Sequence, residues 1–402
     1  MRRVVITGQG AITALGHNAH QTLEGLREGI CGVGELTFQD NERLSVKIGA
    51  QVKGFDPADH FNRQEVALYD PFTQFALLAG KEAVTASGID FEGALAERAG
   101  VILGTAGGGL QTQDQSYRAV YAEGKNRVHP FTVPRLMNNA AASHLSMRHG
   151  IRGPVYSVSS ACASANHAMG QAFHMIRGGS CDAVLTGGSD SMLCFGGIKA
   201  WEGLKVLSTE ACRPFCATRS GMVQGEGAAV FVFEDYEHAT ARGADMLAEV
   251  VGFSMTSDAA DIVLPAQDGA ERAMRAALRD ARLSPDDIDY LNAHGTGTRA
   301  NDKSESAAIN AVFGDHTRHL SVSSTKATHG HVMGGTGAVE LLAVIMALRT
   351  GVIAPTIGFR QADPECAINL VANDAQEKPV RAALSNAFAF GGLNAVIALK
   401  RI

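Results

Sequence analysis

The sequence is short of tryptophan, proline, charge and cysteine pairs, and each shortage excludes something. One Trp, 11 Pro and 6% aromatic residues among 402 leave no room for a Pro-rich or collagen-like chain. Charged residues make up only 19%, and 35 Lys plus Arg against 41 Asp plus Glu give a net charge of −6. That balance argues against a nucleic-acid surface and against a basic membrane-binding helix. The seven cysteines (Cys31, Cys162, Cys181, Cys194, Cys212, Cys216, Cys366) form no CxxC pair and are odd in number, which points to a reducing cytoplasm rather than a disulfide scaffold. The longest unbroken apolar run, Leu341–Leu348, has eight residues, short of the ~20 that cross a bilayer. At the start, MRRVVITG, the apolar run ends after Ile6, so it reads as a first strand rather than a leader.

Familiar ligand signatures are missing too. Cys162, His294, His329 and His331 invite a zinc reading, but neither HExxH nor a paired-cysteine spacing is present. Gly8-x-Gly10 has no Gly at position 13, and Gly107-Gly108-Gly109 is followed by no Walker lysine and hydroxyl. Both read as tight turns instead of nucleotide loops.

What is present is 46% apolar residues, enough for a large core. Short β-rich runs (Val4–Thr7, Val101–Leu103, Ala183–Thr186, Ala229–Phe233) alternate with helical patterns, which implies α/β layers. The spacing predicts helices over Ala163–Arg177, stopped by Gly178-Gly179, and over Asp268–Arg282, followed by a Ser284-Pro285 turn and a strand at Ile288–Asn292. An internal repeat is the most informative pattern. VSSACASANHAMG (158–170) and VSSTKATHGHVMG (322–334) agree at seven of thirteen positions without a gap, 164 residues apart. The alignment sets Cys162 opposite Lys326 and His167 opposite His331, and it implies two similar α/β halves, 1–250 and 251–402.

Cys162 falls where a strand-like run meets the start of a helix. Free N–H groups and the helix dipole there favour a thiolate and offer donors to an oxyanion, although a buried packing cysteine is the ordinary alternative. His294 lies in NAHGTGT with Thr296 and Thr298, and His331 follows a second strand-to-helix turn that also holds Lys326. Such turns converge on one edge of an α/β sheet. The loop NAFAFGGLN (386–394) suits a gate beside a pocket, with core phenylalanine as the alternative reading.

Together, VSSACASANHAMG, NAHGTGT, SSTKATHGHVMGG and NAFAFGGLN, in this order, resemble the elongating β-ketoacyl-acyl-carrier-protein synthases, and the resemblance spans essentially the whole chain. It implies a thiolase-like fold, a duplicated five-layer α/β/α/β/α architecture working as a cytoplasmic homodimer. It implies that Cys162 takes an acyl chain from a carrier's phosphopantetheine thioester. His294 and His331 then polarise the malonyl thioester during decarboxylation, with Lys326 and Glu340 as a supporting charged pair. The N–H groups of Cys162 and Phe390 would hold the oxyanion. Thr296 and Thr298 would contact pantetheine, while Phe388, Phe390 and Gly391 would belong to the gate of the acyl tunnel. The acyl carrier protein is the implied partner, and no metal or organic cofactor is required.

Departures from the family concern the substrate and the carrier. Ala389 and Leu393 replace the usual Gly and Thr of the gate loop, which implies a stiffer or differently shaped gate. Gly107 stands where one branch has a bulky residue that limits chain entry, so long primers are expected. Where the family carries basic docking residues this chain has Val66, Ala67, Leu68 and Glu210, leaving Arg63, Lys125 and Arg127 as candidates for a specialised carrier. The stretch Cys194–Phe215 is similar to a branch that includes nodulation protein E. Two rivals stand beside the synthase: a chain-length-factor-like subunit, which would lack the nucleophile, and a degradative thiolase, which would need a second cysteine near the C-terminal glycines.

Overall fold

The computed structural model describes residues 1–402. Ten strands form one large sheet: β1 (Val4–Thr13), β2 (Ala99–Gly104), β3 (Val155–Val158), β4 (Ala183–Asp190), β5 (Gly227–Asp235), β6 (Ala248–Ser257), β7 (Tyr290–Asn292), β8 (Ser321–Ser323), β9 (Ala382–Ala389) and β10 (Leu393–Lys400). Their spatial order is β8-β7-β9-β10-β6-β1-β5-β4-β2-β3. Read outward from the centre, each half repeats the other with strand n matched by strand n+5. Directions repeat as well: β2–β3 and β2–β4 are parallel while β4–β5 and β5–β1 are antiparallel. In the second half β7–β8 and β7–β9 are parallel, and β9–β10 and β10–β6 antiparallel. Only Val4–Ile6, paired antiparallel with Ala248–Val250, joins the halves.

The helices supply three further layers. α1 (Pro71–Ser87) and α3 (Ala140–His149) cover the outer face of the first half, α6 (Gln267–Ala281) and α7 (Arg299–Phe313) that of the second, and α4 (Ser164–Arg177) and α8 (Thr336–Thr350) lie between the two. The layering is the five-layer duplication expected. α1 starts where it does because Asp70 accepts the Phe72 N–H at 3.2 Å and Pro71 occupies a position whose N–H has no helical partner. α8 is apolar almost all round because both half-sheets and α4 surround it. The segment Met333–Thr350 has a mean hydropathy of 1.3 and is long and apolar enough to cross a membrane, yet 89% of it is buried inside the protein. Counting only unbroken apolar residues misses this segment, because Glu340 divides it.

Most helix and strand ends differ from expectation by a residue or two, since Ala163 is the cap of α4 and Pro285–Asp287 forms a single 3₁₀ turn before β7. β4 runs four residues past Thr186 to Asp190, and the expected loop 386–394 is largely strand, its first four residues ending β9 and its last two opening β10. Another reading is corrected as well. Gly8 and Gly10 are not a tight turn; they lie inside β1, which continues to Thr13 with a register shift after Ile6. A Cβ on Gly8 would stand 2.2 Å from the Ala83 carbonyl oxygen, and one on Gly10 2.1 Å from that of Ala79. These glycines let α1 lie directly on the strand. Gly107–Gly109 does form the expected turn, leading into α2 (Leu110–Tyr121).

Gly10→Ala is therefore expected to destabilise the protein by about 1–3 kcal/mol through overpacking. Gly203→Ala, with no atom near its added methyl, should change stability little; chemical denaturation of both variants measures the contrast.

Candidate active site

Three strand-to-helix connections converge at the ends of β3, β7 and β8. Cys162 sits between β3 and α4, just after Ala161, whose φ of +49° is unusual for a residue with a side chain. The turn is held by Ser164, whose hydroxyl donates to the Ala161 carbonyl at 2.6 Å and accepts the Ser160 N–H at 2.9 Å. β7 leads to His294, where the next four N–H groups all find carboxylates on α7. His294 and Gly295 donate to Glu305 at 2.8 and 2.7 Å, and Thr296 and Gly297 to Asp302 at 3.1 and 3.2 Å. β8 leads to Lys326 and His331. The backbone of His331 is fixed on both sides, its N–H donating to the Val223 carbonyl at 2.7 Å and its carbonyl accepting the Gly225 N–H at 2.9 Å.

The Cys162 sulfur and one ring nitrogen from each of His294 and His331 lie within 4.8 Å of one another. They line a cavity of about 150 Å³ together with Thr296, Thr298, Phe388 and Phe390. The two threonine hydroxyls are 2.8 Å apart. Lys326 and Glu340 lie behind His294 as a salt bridge with no exposure at all. The Lys326 ammonium donates to the His294 carbonyl and, at 3.3 Å, to His294 Nδ1. A donor on Nδ1 leaves the ring proton on Nε2. His331 is fixed in the same way by a different donor, the Met333 N–H at 3.1 Å from its Nδ1, and its Nε2 is buried without a partner.

Burial, the Lys326 charge and each ring's histidine neighbour hold both imidazoles well below the ordinary histidine range, so both are neutral N–H donors at pH 7. Burial raises the Glu340 carboxyl to about 7 against the opposing pull of Lys326. Cys162 corrects the thiolate expectation. Burial pushes its thiol up to about 12, and the Lys326 charge only partly offsets that, so at rest Cys162 is a thiol.

Of the residues singled out from sequence, Cys162, His294, His331, Thr296, Thr298, Phe388 and Phe390 share the cavity wall, and Gly391 follows in the same turn. Gly107 does not join them: a Cβ there would meet the Met192 side chain at 2.9 Å, so a flexible thioether fills the space that glycine was expected to open. Arg63, Lys125 and Arg127 are exposed and away from the cavity wall, with Lys125 paired to Glu123 at 2.7 Å. Val66 and Leu68 are packing residues. His167 bonds to Ser160 at 2.8 Å, and His329 to Thr325 at 3.0 Å, both outside the cavity.

Sequence reading missed the carboxylates that hold these loops. Asp302 and Glu305 were legible in principle, as an i, i+3 acid pair in the first turns of the helix after NAHGTGT. Asp190 carried no such signal. Its carboxylate accepts from Thr105, Ala106, Gly107 and Gly334 at 2.6–3.1 Å, tying a loop of the first half to the segment just past His331.

Comparison with known proteins places this geometry. Residues 1–239 match the family model for the β-ketoacyl synthase N-terminal domain, and residues 247–360 that for its C-terminal domain. Nodulation protein E of Rhizobium leguminosarum bv. trifolii is 46% identical over 401 residues, covering 100% of both chains. The 3-oxoacyl-[acyl-carrier-protein] synthase 2 of Staphylococcus aureus (strain N315) is 39% identical over 407 positions, covering 100% of this chain and 98% of the relative. A solved chain of the ishigamide ketosynthase/chain length factor superposes with a TM-score of 0.95 at 33% identity, covering 100% and 99%.

Two outcomes test the electrostatic arrangement. Lys326→Met, which frees His294 Nδ1, should slow malonyl decarboxylation by roughly 10²-fold while leaving a folded protein by circular dichroism. In the unsubstituted protein the ring signals of His294 and His331, followed by NMR from pH 8 down to pH 5, should show no titration, because both rings are already neutral.

Proposed function

This chain belongs to the β-ketoacyl synthase family and is a β-ketoacyl-acyl-carrier-protein synthase; we propose that Cys162 carries the acyl group and that His294 and His331 drive the decarboxylation. The observation that carries this assignment is the trio itself: one thiol and two neutral imidazoles facing one cavity, each ring with its Nδ1 already occupied by a donor.

The cycle follows from those protonation states. The Cys162 thiol attacks the carrier-bound acyl thioester, a carbon–sulfur bond forms to Cys162, and the carrier's pantetheine leaves with the proton as a thiol. A malonyl thioester then enters, with its chain against Thr296 and Thr298. Loss of its carboxylate as carbon dioxide places negative charge on the thioester oxygen, where the Nε2–H groups of His294 and His331 donate. The enolate carbon attacks acyl-Cys162, with the N–H groups of Cys162 and Phe390 holding the oxyanion. The carbon–sulfur bond breaks, and a proton from solvent restores the thiol. Side chains and backbone N–H groups of this chain supply every donor in this scheme, so no metal or organic cofactor is assigned, and Cys162, His294 and His331 serve the substrate rather than zinc.

Two features support a specialised carrier and acyl chain in preference to the housekeeping ones. Identity is higher to nodulation protein E than to the staphylococcal synthase, and apolar Val66 and Leu68 stand where basic docking residues were expected. Arg63, Lys125 and Arg127 remain the docking candidates. The intact trio speaks against a chain-length-factor-like subunit. A thiolase reading needs a second cysteine at the C-terminal glycines, where Phe390 stands instead, and Cys366 lies in a separate apolar pocket with Phe215 and Phe359. Seven unpaired thiols support a reducing compartment such as the cytoplasm.

A homodimer is proposed on the sheet edges. β8 is covered, because Val322 exchanges hydrogen bonds with Asn369 and Val371. β3 pairs only with β2 and is part-exposed. Tyr117, Tyr121, Phe131 and Val133 are also 48–83% exposed. An open edge on a chain that carries exposed apolar side chains invites pairing, and a second copy meeting β3 edge to edge would cover it.

Incubation with acyl-carrier and then malonyl-carrier, read by intact mass, should show acylation that Cys162→Ala abolishes, followed by elongation by two carbons. Met192→Ala, which empties the space beside Gly107, should lengthen the primers accepted. Acylation absent with every donor would overturn the assignment, and equal rates with a housekeeping carrier would remove the specialised one. For the dimer, Tyr156→Lys with Val133→Glu is expected to halve the mass seen by sedimentation; an unchanged mass would place the interface elsewhere.

A further inference from the structure

Trp201 is the only tryptophan in the chain, and nothing in the condensation chemistry calls for it. It lies near the end of α5 (Phe195–Gly203), half-buried, on the cavity wall. Its indole stacks on the ring of Phe390, with centroids 5.7 Å apart and planes inclined by 28°. Phe390 is carried by a turn in which Gly391 and Gly392 take φ of +81° and +66°. The opposite face of that turn is tied to the loop 258–266. Gly391 N–H donates to the Ile262 carbonyl at 2.8 Å, Asp258 N–H to the Gly392 carbonyl at 2.9 Å, and the Asn394 amide to the Asp258 carboxylate at 2.7 Å. The backbone of the turn is thus fastened on one side, while its aromatic side chain rests on the indole on the other. Displacing Phe390 means breaking the ring stack more readily than moving the strapped turn.

We propose that Trp201 sets the length selectivity of acyl loading. It is the surface on which Phe390 rests when the Cys162 cavity is closed, and the surface an acyl chain must cover once Phe390 has left it. This rests on the reading of Cys162 as the acyl carrier. A short acyl group cannot replace Phe390 on the indole face and bears the full loss of the stack. A long chain covers the vacated face and regains that contact. An aromatic stack of this separation corresponds to roughly a two- to tenfold change in rate.

The unsubstituted enzyme provides the first test, because its one tryptophan reports the stack directly. Loading a long acyl group onto Cys162 should shift tryptophan emission in proportion to acylation measured by intact mass, and Cys162→Ala should abolish the shift. Trp201→Ala should load short primers roughly two- to tenfold faster and long primers slower, with Trp201→Phe intermediate. Full acylation without any emission change, or a Trp201→Ala variant that alters all primer lengths by one common factor, would overturn the inference. Acylation absent at every length would instead remove the Cys162 assignment beneath it.

Discussion

A lysine ammonium with no exposure to solvent must be answered on every side, and the centre of this protein is arranged around that demand. Burying such a charge costs several kcal/mol unless a partner and hydrogen bonds compensate. Lys326 meets Glu340, the His294 carbonyl and His294 Nδ1. Each contact has a chemical result as well as a structural one. The bond to Nδ1 fixes which nitrogen of His294 carries the proton. Burial holds both imidazoles neutral and the positive charge adds to it, while the same charge only partly offsets the burial that raises the Cys162 thiol. One buried cation thereby acts on the protonation states of all three groups that face the cavity.

The duplicated fold explains how such a cation comes to stand beside a nucleophile. The first half delivers Cys162 from the turn after β3, and the second delivers Lys326 from the turn after β8, its counterpart in the repeat. α4 and α8, the helices that follow these turns, pack against each other in the middle layer. Their facing starts bring positions 164 residues apart into one site. Close approach of this kind needs small residues: a Cβ on Gly337 of α8 would stand 1.9 Å from the Asn166 side chain of α4. Asp190 completes the join by accepting N–H groups from both halves.

Much of this was legible because duplication leaves a local trace. Strand, small-residue turn and helix recur in the same order, so the positions of Cys162, His294 and His331 could be inferred together with the layers. The illegible parts depend on contacts distant in sequence. Gly8 and Gly10 look like a turn until α1 is known to press on them. Gly107 looks like an opening until Met192 is seen to fill it. A helix start predicts a thiolate at Cys162, but the prediction takes no account of the layers that close over it. Desolvation acts on the whole side chain and the helix end only along one direction, and burial prevails. Trp201 has no motif at all, because its role depends on a ring 189 residues away.

A thiol pushed up to about 12 and two neutral imidazoles would be poor choices for a site meant to bind a charged ground state. They suit one in which charge is created during reaction. Before decarboxylation the groups nearest the reaction carry no net charge: the thiol, the imidazoles and the threonine hydroxyls are neutral, and Lys326 is compensated behind them by Glu340. When carbon dioxide leaves, negative charge appears on the thioester oxygen, and two fixed N–H donors meet it without rearranging. Only interactions stronger in the transition state than in the ground state speed a reaction, and preorganised neutral donors in a dry site satisfy that condition. Had either ring been cationic, it would have bound the malonyl carboxylate itself and stabilised the group that must depart. Neutrality at His294 and His331 is therefore as much a part of the proposed chemistry as their position, and burial maintains it together with the charge of Lys326 behind His294.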